Sequence, residues 1–219
     1  MDARRLMKIY RALKTRFGSG MWWPHETPFE VMVGAILTQQ TVWKNVDLAI
    51  ENLKKKGFMD PGPLAEAPIK EVEKCLRPSG FYKQKSARVQ NLARYVTDNY
   101  NGDIGSFFDR GVDHVRNELL SLPGIGPETA DSMLLFAGNR AKFVVDAYTF
   151  RVFTRLGVDF EGRYDVAQDF FEKRLPEDAE LYKNFHANIV ELAKNYCKVR
   201  PLCRKCPINE YCTYPGKRI

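Results

Sequence analysis

Hydrophobic residues recur at helical spacing along almost the whole chain, and no segment alternates between apolar and polar positions as a half-buried strand does. The first predicted helix carries an apolar stripe from Leu6 to Phe17 and basic residues on its other side. The segment 28–37 is apolar on every side and follows the capping box Thr27-Pro-Phe-Glu30, so it predicts a central, buried helix. We therefore expect an all-α protein with about ten helices.

The remaining predicted helices are joined by short connections. They cover about residues 42–53, 68–76, 85–100, 112–120, 129–137, 146–156, 165–173 and 178–196. The segment Asp60-Pro-Gly-Pro63 predicts a loop, because proline and glycine interrupt regular structure.

A glycine turn precedes one of these helix starts. Gly124 and Gly126 flank the apolar Ile125, and Pro127 fits the first position of a helix that Gly126 would cap. Both glycines permit the left-handed conformation of a tight hairpin. Free N–H groups at such a hairpin and helix start can bind a phosphate, although an ordinary corner between two helices has the same sequence features.

The composition also predicts a polyanionic partner. The 219 residues carry a net charge of +7 and give a pI near 9.1, for which a solvated basic surface is the alternative. A second glycine corner at Gly80 precedes a helix start with Lys83, Lys85 and Arg88 and is another candidate phosphate contact. No apolar run approaches the roughly 20 residues of a membrane span, so we expect a cytoplasmic, nucleoid-associated protein of prokaryotic type with no membrane partner.

Four cysteines crowd into the last part of the chain. Cys197, Cys203, Cys206 and Cys212 have the spacing C-x5-C-x2-C-x5-C. Thiolates on one short loop suit a 4Fe–4S cluster or, as the alternative, a zinc ion. Arg204 and Lys205 lie inside the loop, which indicates a basic finger held against DNA.

Together these features resemble the helix–hairpin–helix (HhH-GPD) DNA glycosylase superfamily, of which endonuclease III is the type member. The matching segments are Leu122-Pro-Gly-Ile-Gly126, Val145-Asp146 and the cysteine loop. The resemblance implies one glycosylase unit over residues 1–219, made of two helical lobes with a DNA cleft between them. Residues 27–139 would form a six-helix lobe with the hairpin at 122–128. Residues 1–26 and 140–219 would form the second lobe, with the cluster loop at 197–212.

The resemblance also implies how such a protein excises bases from double-stranded DNA. A damaged base is flipped out of the duplex and its N-glycosidic bond is cut. In the family the hairpin anchors a phosphate, often with a monovalent cation. Gln40 aligns with the residue that fills the space of the flipped base, and Phe81 with the wedge that intercalates opposite it. Asp146 aligns with the catalytic aspartate, whose carboxylate stabilises oxocarbenium character at C1′ or positions a water.

One position departs from the bifunctional members of the family. In those proteins a lysine two residues after the second hairpin glycine attacks C1′ and forms a Schiff base, whereas this chain has Glu128 there. A carboxylate cannot form an imine. We therefore expect a monofunctional glycosylase that lacks lyase activity. The resemblance to the family also implies a monomer.

Tryptophans surround the expected base pocket. Trp22, Trp23, Pro24 and Trp43 fall in the two segments that the family places there. Aromatic faces attract positively charged rings by about 0.5–2 kcal/mol each, which favours alkylated purines such as 3-methyladenine and 7-methylguanine. Within the superfamily, the chain resembles the endonuclease III-like 3-methyladenine DNA glycosylases in Trp22-Trp-Pro24, in Arg77-Pro-Ser-Gly-Phe-Tyr82 and in the glutamate at position 128.

Two alternatives stay open at this level. The first is an endonuclease III-like glycosylase and lyase for oxidised or deaminated pyrimidines. The second is a non-catalytic iron–sulfur protein that binds DNA.

Overall fold

The computed structural model describes residues 1–19, 23 and 26–216, and these residues form twelve α-helices and no β-strand. The expectation of an all-α protein is confirmed. Within the same residues, no helix has both the length and the apolar character needed to cross a membrane. The chain divides into two compact units, Trp23–Arg140 and Met1–Trp22 with Ala141–Ile219.

The unit Trp23–Arg140 is built around a helix that is buried on all sides. Its helices are α2 Pro28–Leu37, α3 Trp43–Lys55, α4 Pro61–Glu66, α5 Ile69–Leu76, α6 Tyr82–Tyr100, α7 Ile104–Phe108, α8 Val112–Ser121 and α9 Pro127–Ser132, which continues as a π-helical segment Met133–Ala137. Thr27 caps α2 as predicted, and every residue from Phe29 to Leu37 is buried. The one acidic residue in that run, Glu30, is paired with Lys54 at 2.9 Å, so its burial leaves no isolated charge.

Two helices of this unit were not predicted, so it contains eight α-helices rather than six. Residues 60–63 were expected to form a loop, but α4 begins at Pro61. Proline is compatible with the first turn of a helix, because the N–H groups there have no intrahelical acceptor in any case. The second, α7, is a single short turn capped by Asp103. Its five residues are too few to show a helical period.

The other unit has an aromatic core. Its helices are α1 Ala3–Phe17, α10 Ala147–Arg155, α11 Tyr164–Glu172 and α12 Ala179–Asn195. Both α1 and α10 pack against α12. Phe143 stacks on Phe171 with ring centroids 4.0 Å apart, and Phe153 meets Phe171 edge to face at 4.7 Å. Such pairs add about 0.5–1.5 kcal/mol each to the burial of the rings, and they hold the segment that leads into α10.

Candidate functional site

The turn Gly124–Gly126 joins α8 to α9. Gly124 has a φ of 84°, in the left-handed region that favours glycine. Ile125 is 6% exposed, and its N–H donates to the carbonyl of Leu122 at 3.1 Å. Neither the side chain nor the N–H of Ile125 is available to a ligand. This corrects its prediction as a DNA contact: Ile125 anchors the turn in the core.

Gly126 differs from Gly124 in its backbone conformation. It caps α9, with Pro127 at the first helical position as predicted. Its φ is −96°, so of the two glycines that permit the left-handed region only Gly124 uses it. A methyl group on Gly126 would meet no described atom within 4 Å. Neither conformation nor internal packing requires glycine here, and the open space lets another backbone approach closely.

A buried ion pair fixes the two helices that carry the turn. Arg116 on α8 donates from Nε and Nη2 to the two carboxylate oxygens of Asp131 on α9, at 2.6 and 3.0 Å. The Asp131 side chain is fully buried. A bidentate pair of this kind sets the orientation as well as the distance of its partners, so the geometry of the turn is held from both sides.

Gln40 and Phe81 are both exposed and both have a positive φ, of 55° and 44°. Phe81 is 59% exposed and caps α6. Bulky residues rarely adopt the left-handed region, and strained positions cluster at ligand-binding sites. The backbone thus presents both side chains to solvent, which their predicted insertion into DNA requires.

Lys83 and Lys85 have different environments. Lys83 is exposed. Lys85 is 1% exposed, and its Nζ donates to the carbonyls of Leu37 at 2.9 Å and Ser79 at 2.7 Å. Burial, with a smaller contribution from Arg88, lowers the pKa of Lys85 to about 8. A buried ammonium with two carbonyl acceptors does not reach a phosphate, so the prediction that Lys85 contacts DNA is wrong; it ties the end of α2 to the segment before Phe81.

Of the residues predicted to line the base pocket, Trp23 and Trp43 contact each other. Trp22 and Pro24 lie outside the described residues. Trp23 is 6% exposed, and its ring meets Trp43 edge to face at 5.3 Å. Gly34 makes room for it, because a Cβ there would lie 3.2 Å from the indole. Trp23 therefore packs in the core behind Trp43, which corrects its prediction as a lining residue, whereas Trp43 is only partly buried.

Glu128 is the second residue of α9 and is exposed. A carboxylate in the first helical turn interacts favourably with the helix dipole. The position that carries a lysine in bifunctional glycosylases thus holds an acidic side chain on the surface of the hairpin helix.

Asp146 caps α10 with one of its two carboxylate oxygens. Its Oδ1 accepts from the N–H of Thr149 at 2.7 Å and from the Thr149 hydroxyl at 2.8 Å. Thr149 is fully buried, so the carboxylate is held from the protein side. Because both bonds go to Oδ1, Oδ2 lies outside the cap interaction, and Asp146 itself is only partly buried.

Two residues that contact the Asp146 segment, Thr149 and His186, were not predicted from the sequence. Thr149 occupies the third position of the helix after an aspartate cap, where local capping rules could have identified it. His186 on α12 is buried, and its Nδ1 lies 3.2 Å from the carbonyl of Val144. Burial lowers the pKa of His186, and the charge of Asp146 opposes this effect. No local rule of this kind could have identified His186, because a single histidine in a helix does not show which segment its ring contacts.

The four cysteines line one cavity, whose empty volume is about 300 Å³ including its open side. Burial raises the pKa of the Cys206 thiol to about 11, and the other three thiols add to the shift. In the described part of the chain, no three His, Cys, Asp or Glu side chains are placed to hold a metal ion. Arg204 and Lys205 are exposed on the turn Cys203–Lys205.

The chain matches the model of the HhH-GPD superfamily of base excision DNA repair proteins over residues 33–177. A provisionally named DNA repair glycosylase of Methanocaldococcus jannaschii is 46% identical over 209 residues, which cover 94% of this chain and 95% of that protein. Endonuclease III of Thermotoga maritima is 28% identical, with 87% of this chain and 85% of that protein covered.

Two solved structures are also similar to this chain. A 3-methyladenine DNA glycosylase of H. pylori, bound to 1,N6-ethenoadenine, has a TM-score of 0.78 at 30% identity, covering 89% of this chain and 98% of its own. A non-covalent complex of endonuclease III with DNA has a TM-score of 0.84 at 25% identity, covering 99% and 97%.

Proposed function

Since the chain belongs to the HhH-GPD superfamily of base excision DNA repair proteins, we propose that it is a monofunctional DNA glycosylase that releases alkylated purines from duplex DNA. The observation that carries the substrate class is Trp43, a partly buried indole supported from the core by the buried Trp23. An aromatic face of this kind attracts the positive ring of 3-methyladenine or 7-methylguanine. The likeness to a 3-methyladenine glycosylase supports the same choice.

The proposed chemistry needs few groups. A base that already carries a positive charge is a good leaving group, so the C1′–N bond breaks with its electron pair going to the base. The Asp146 carboxylate stabilises the positive sugar ring that remains. Water then adds to C1′, and its proton passes to the carboxylate or to solvent. The buried Thr149 keeps the carboxylate oriented through both steps.

Contacts to DNA are divided among the exposed elements. The open face at Gly126 gives the DNA backbone room to approach closely. Gln40 and Phe81 would occupy the space that the flipped nucleotide leaves and wedge the opposite strand. Lys83, Arg204 and Lys205 are exposed cations that would neutralise phosphates.

We expect the purified protein to release 3-methyladenine and 7-methylguanine from DNA treated with a methylating agent, with the products resolved by chromatography. Replacing Trp43 by leucine should lower kcat/KM for these bases by about tenfold, because the cation–π contribution of about 0.5–2 kcal/mol is lost. Trp43→Phe, the matched control, should keep most of the rate. Release of oxidised pyrimidines and of neither alkylated purine would show that the substrate class is wrong, while the family membership would stand.

We also propose that Cys197, Cys203, Cys206 and Cys212 hold a 4Fe–4S cluster, which would keep the basic turn at Arg204 and Lys205 in place. The four cysteines line the same cavity, which supports one group bound by all four. Protein prepared without oxygen should be brown, absorb at about 400 nm and contain about four irons per chain.

Cys206→Ser should lose this absorption. Cys75→Ser, a buried cysteine on α5 in the other unit, should retain it. A colourless protein with one zinc per chain would contradict the cluster and favour the alternative metal.

A further inference from the structure

Arg88 lies directly over the hairpin turn. It is on α6, two helical turns after Phe81, and it is partly exposed. A Cβ on Gly124 would be 2.1 Å from the Nε of Arg88 and 2.6 Å from its Cδ. Atoms cannot approach so closely, so Gly124 is required both by its φ of 84° and by the arginine that covers it. The guanidinium is thereby placed at an exposed turn of the backbone.

The Gln39 side chain holds this arrangement together. Its Oε1 accepts from Nη1 of Arg88 at 2.5 Å. Its Nε2 donates to the carbonyl of Gly124 at 3.2 Å and to the Thr129 hydroxyl at 3.0 Å. One amide thus links α6, the turn and α9. Gln40, the exposed residue with a φ of 55°, follows Gln39 directly in the chain.

Among the residues that the structure describes, no acidic side chain neutralises the positive charge of Arg88. Within the described residues, no carboxylate lies at ion-pair distance from Arg88, and its recorded hydrogen bond goes to the neutral amide of Gln39. The ammonium of Lys85 is close enough for Arg88 to lower its pKa, which adds positive potential. A guanidinium has five donors in a planar fork that suits phosphate oxygens.

We propose that Arg88, oriented by Gln39, forms with the Gly124 turn a binding site for one phosphodiester of DNA. This inference rests on the proposed function, because it assumes that the hairpin meets DNA. Gln39 is then a positioning residue: it holds the arginine at the turn and ties this phosphate site to the Gln40 turn. The sequence pattern had grouped Arg88 with the corner at Phe81, whereas the structure assigns its guanidinium to the hairpin.

The test is the salt dependence of binding, measured by fluorescence anisotropy. The probe is a duplex that contains one tetrahydrofuran abasic analogue, which the protein cannot cleave. Removing one phosphate contact lowers the slope of log Kd against log salt concentration by about one. We expect that change for Arg88→Met, and a slope close to wild type for Arg88→Lys. Lys70→Met removes an exposed lysine on α5 and should leave the slope unchanged.

Two substitutions of Gln39 separate the effect of the charge of Arg88 from the effect of its hydrogen bond to Gln39. Gln39→Glu keeps the arginine but places a carboxylate against it, so the slope should fall as it does for Arg88→Met. Gln39→Met removes the hydrogen bonds without adding charge, so it should keep the slope while weakening affinity. Thermal unfolding of each variant confirms that it is folded.

An unchanged slope for folded Arg88→Met would overturn the inference. Absence of DNA binding by the wild-type protein would overturn it together with the proposed function. Because the slope is read from binding alone, a wild-type protein that binds DNA but releases no base would contradict the proposed function and still decide this inference.

Discussion

Asp146→Asn is expected to lower the single-turnover rate of base release by about 10³-fold or more, while DNA binding and the fold persist. Asparagine is as good a helix cap as aspartate. Its amide oxygen can still accept from the N–H and hydroxyl of Thr149, which bond to Oδ1 in the wild-type protein. The substitution removes the negative charge and leaves the cap in place. That charge is what stabilises a positive sugar ring.

A matched control lies in the same unit. Asp178 caps α12 with Oδ1, which accepts from the N–H groups of Glu180 at 2.8 Å and Leu181 at 3.1 Å. Asp178→Asn makes the same chemical change at another helix start and should leave base release unchanged. If Asp146→Asn released bases at the wild-type rate, the carboxylate would have no chemical role. A wild-type protein that bound DNA but released no base would instead favour the non-catalytic DNA-binding protein.

Helix starts could be predicted because capping chemistry is local. Thr27 caps α2, Gly126 precedes Pro127 at α9, and Asp146 caps α10, each within four residues of sequence. The buried helix α2 could be predicted equally well, since a helix that is apolar on every side has no face for solvent. The short helices α4 and α7 could not be predicted, because neither is long enough to show a helical period.

Side-chain roles that depend on tertiary packing could not be predicted in this way. Lys85 and Lys83 are two residues apart in the same helix, yet one is buried against two carbonyls and the other is exposed. Trp23 and Trp43 are likewise one residue type in two roles. The direction that a side chain takes is set by what packs against its helix, and a pattern of residue types does not contain that information.

The network at Gln39 shows the same limit. Its three hydrogen bonds join it to residues 49, 85 and 90 positions away in the chain. A glutamine beside another glutamine in a polar turn carries no signal that one side chain faces inward. Only the fold shows that Gln39 is held while Gln40 is exposed.

Borohydride reduction in the presence of abasic-site DNA is expected to trap no covalent adduct with the wild-type protein, and to trap one with Glu128→Lys. Trapping requires an imine between C1′ and an amine, and a carboxylate at this position cannot supply it. Because Glu128 is exposed in the first turn of α9, a lysine fits without repacking. The substitution also removes the interaction of the carboxylate with the helix dipole, about 0.3–1 kcal/mol.

Glu128→Gln is the matched control, since it removes the same negative charge without adding an amine. It should behave like the wild type and give no adduct, so a band seen only with Glu128→Lys reports the nucleophile and not the change in charge. A wild-type adduct would instead show that another lysine reaches C1′. In that case the protein would nick the strand as the bifunctional members of its superfamily do, and the acidic residue at the hairpin would not determine the outcome of the reaction.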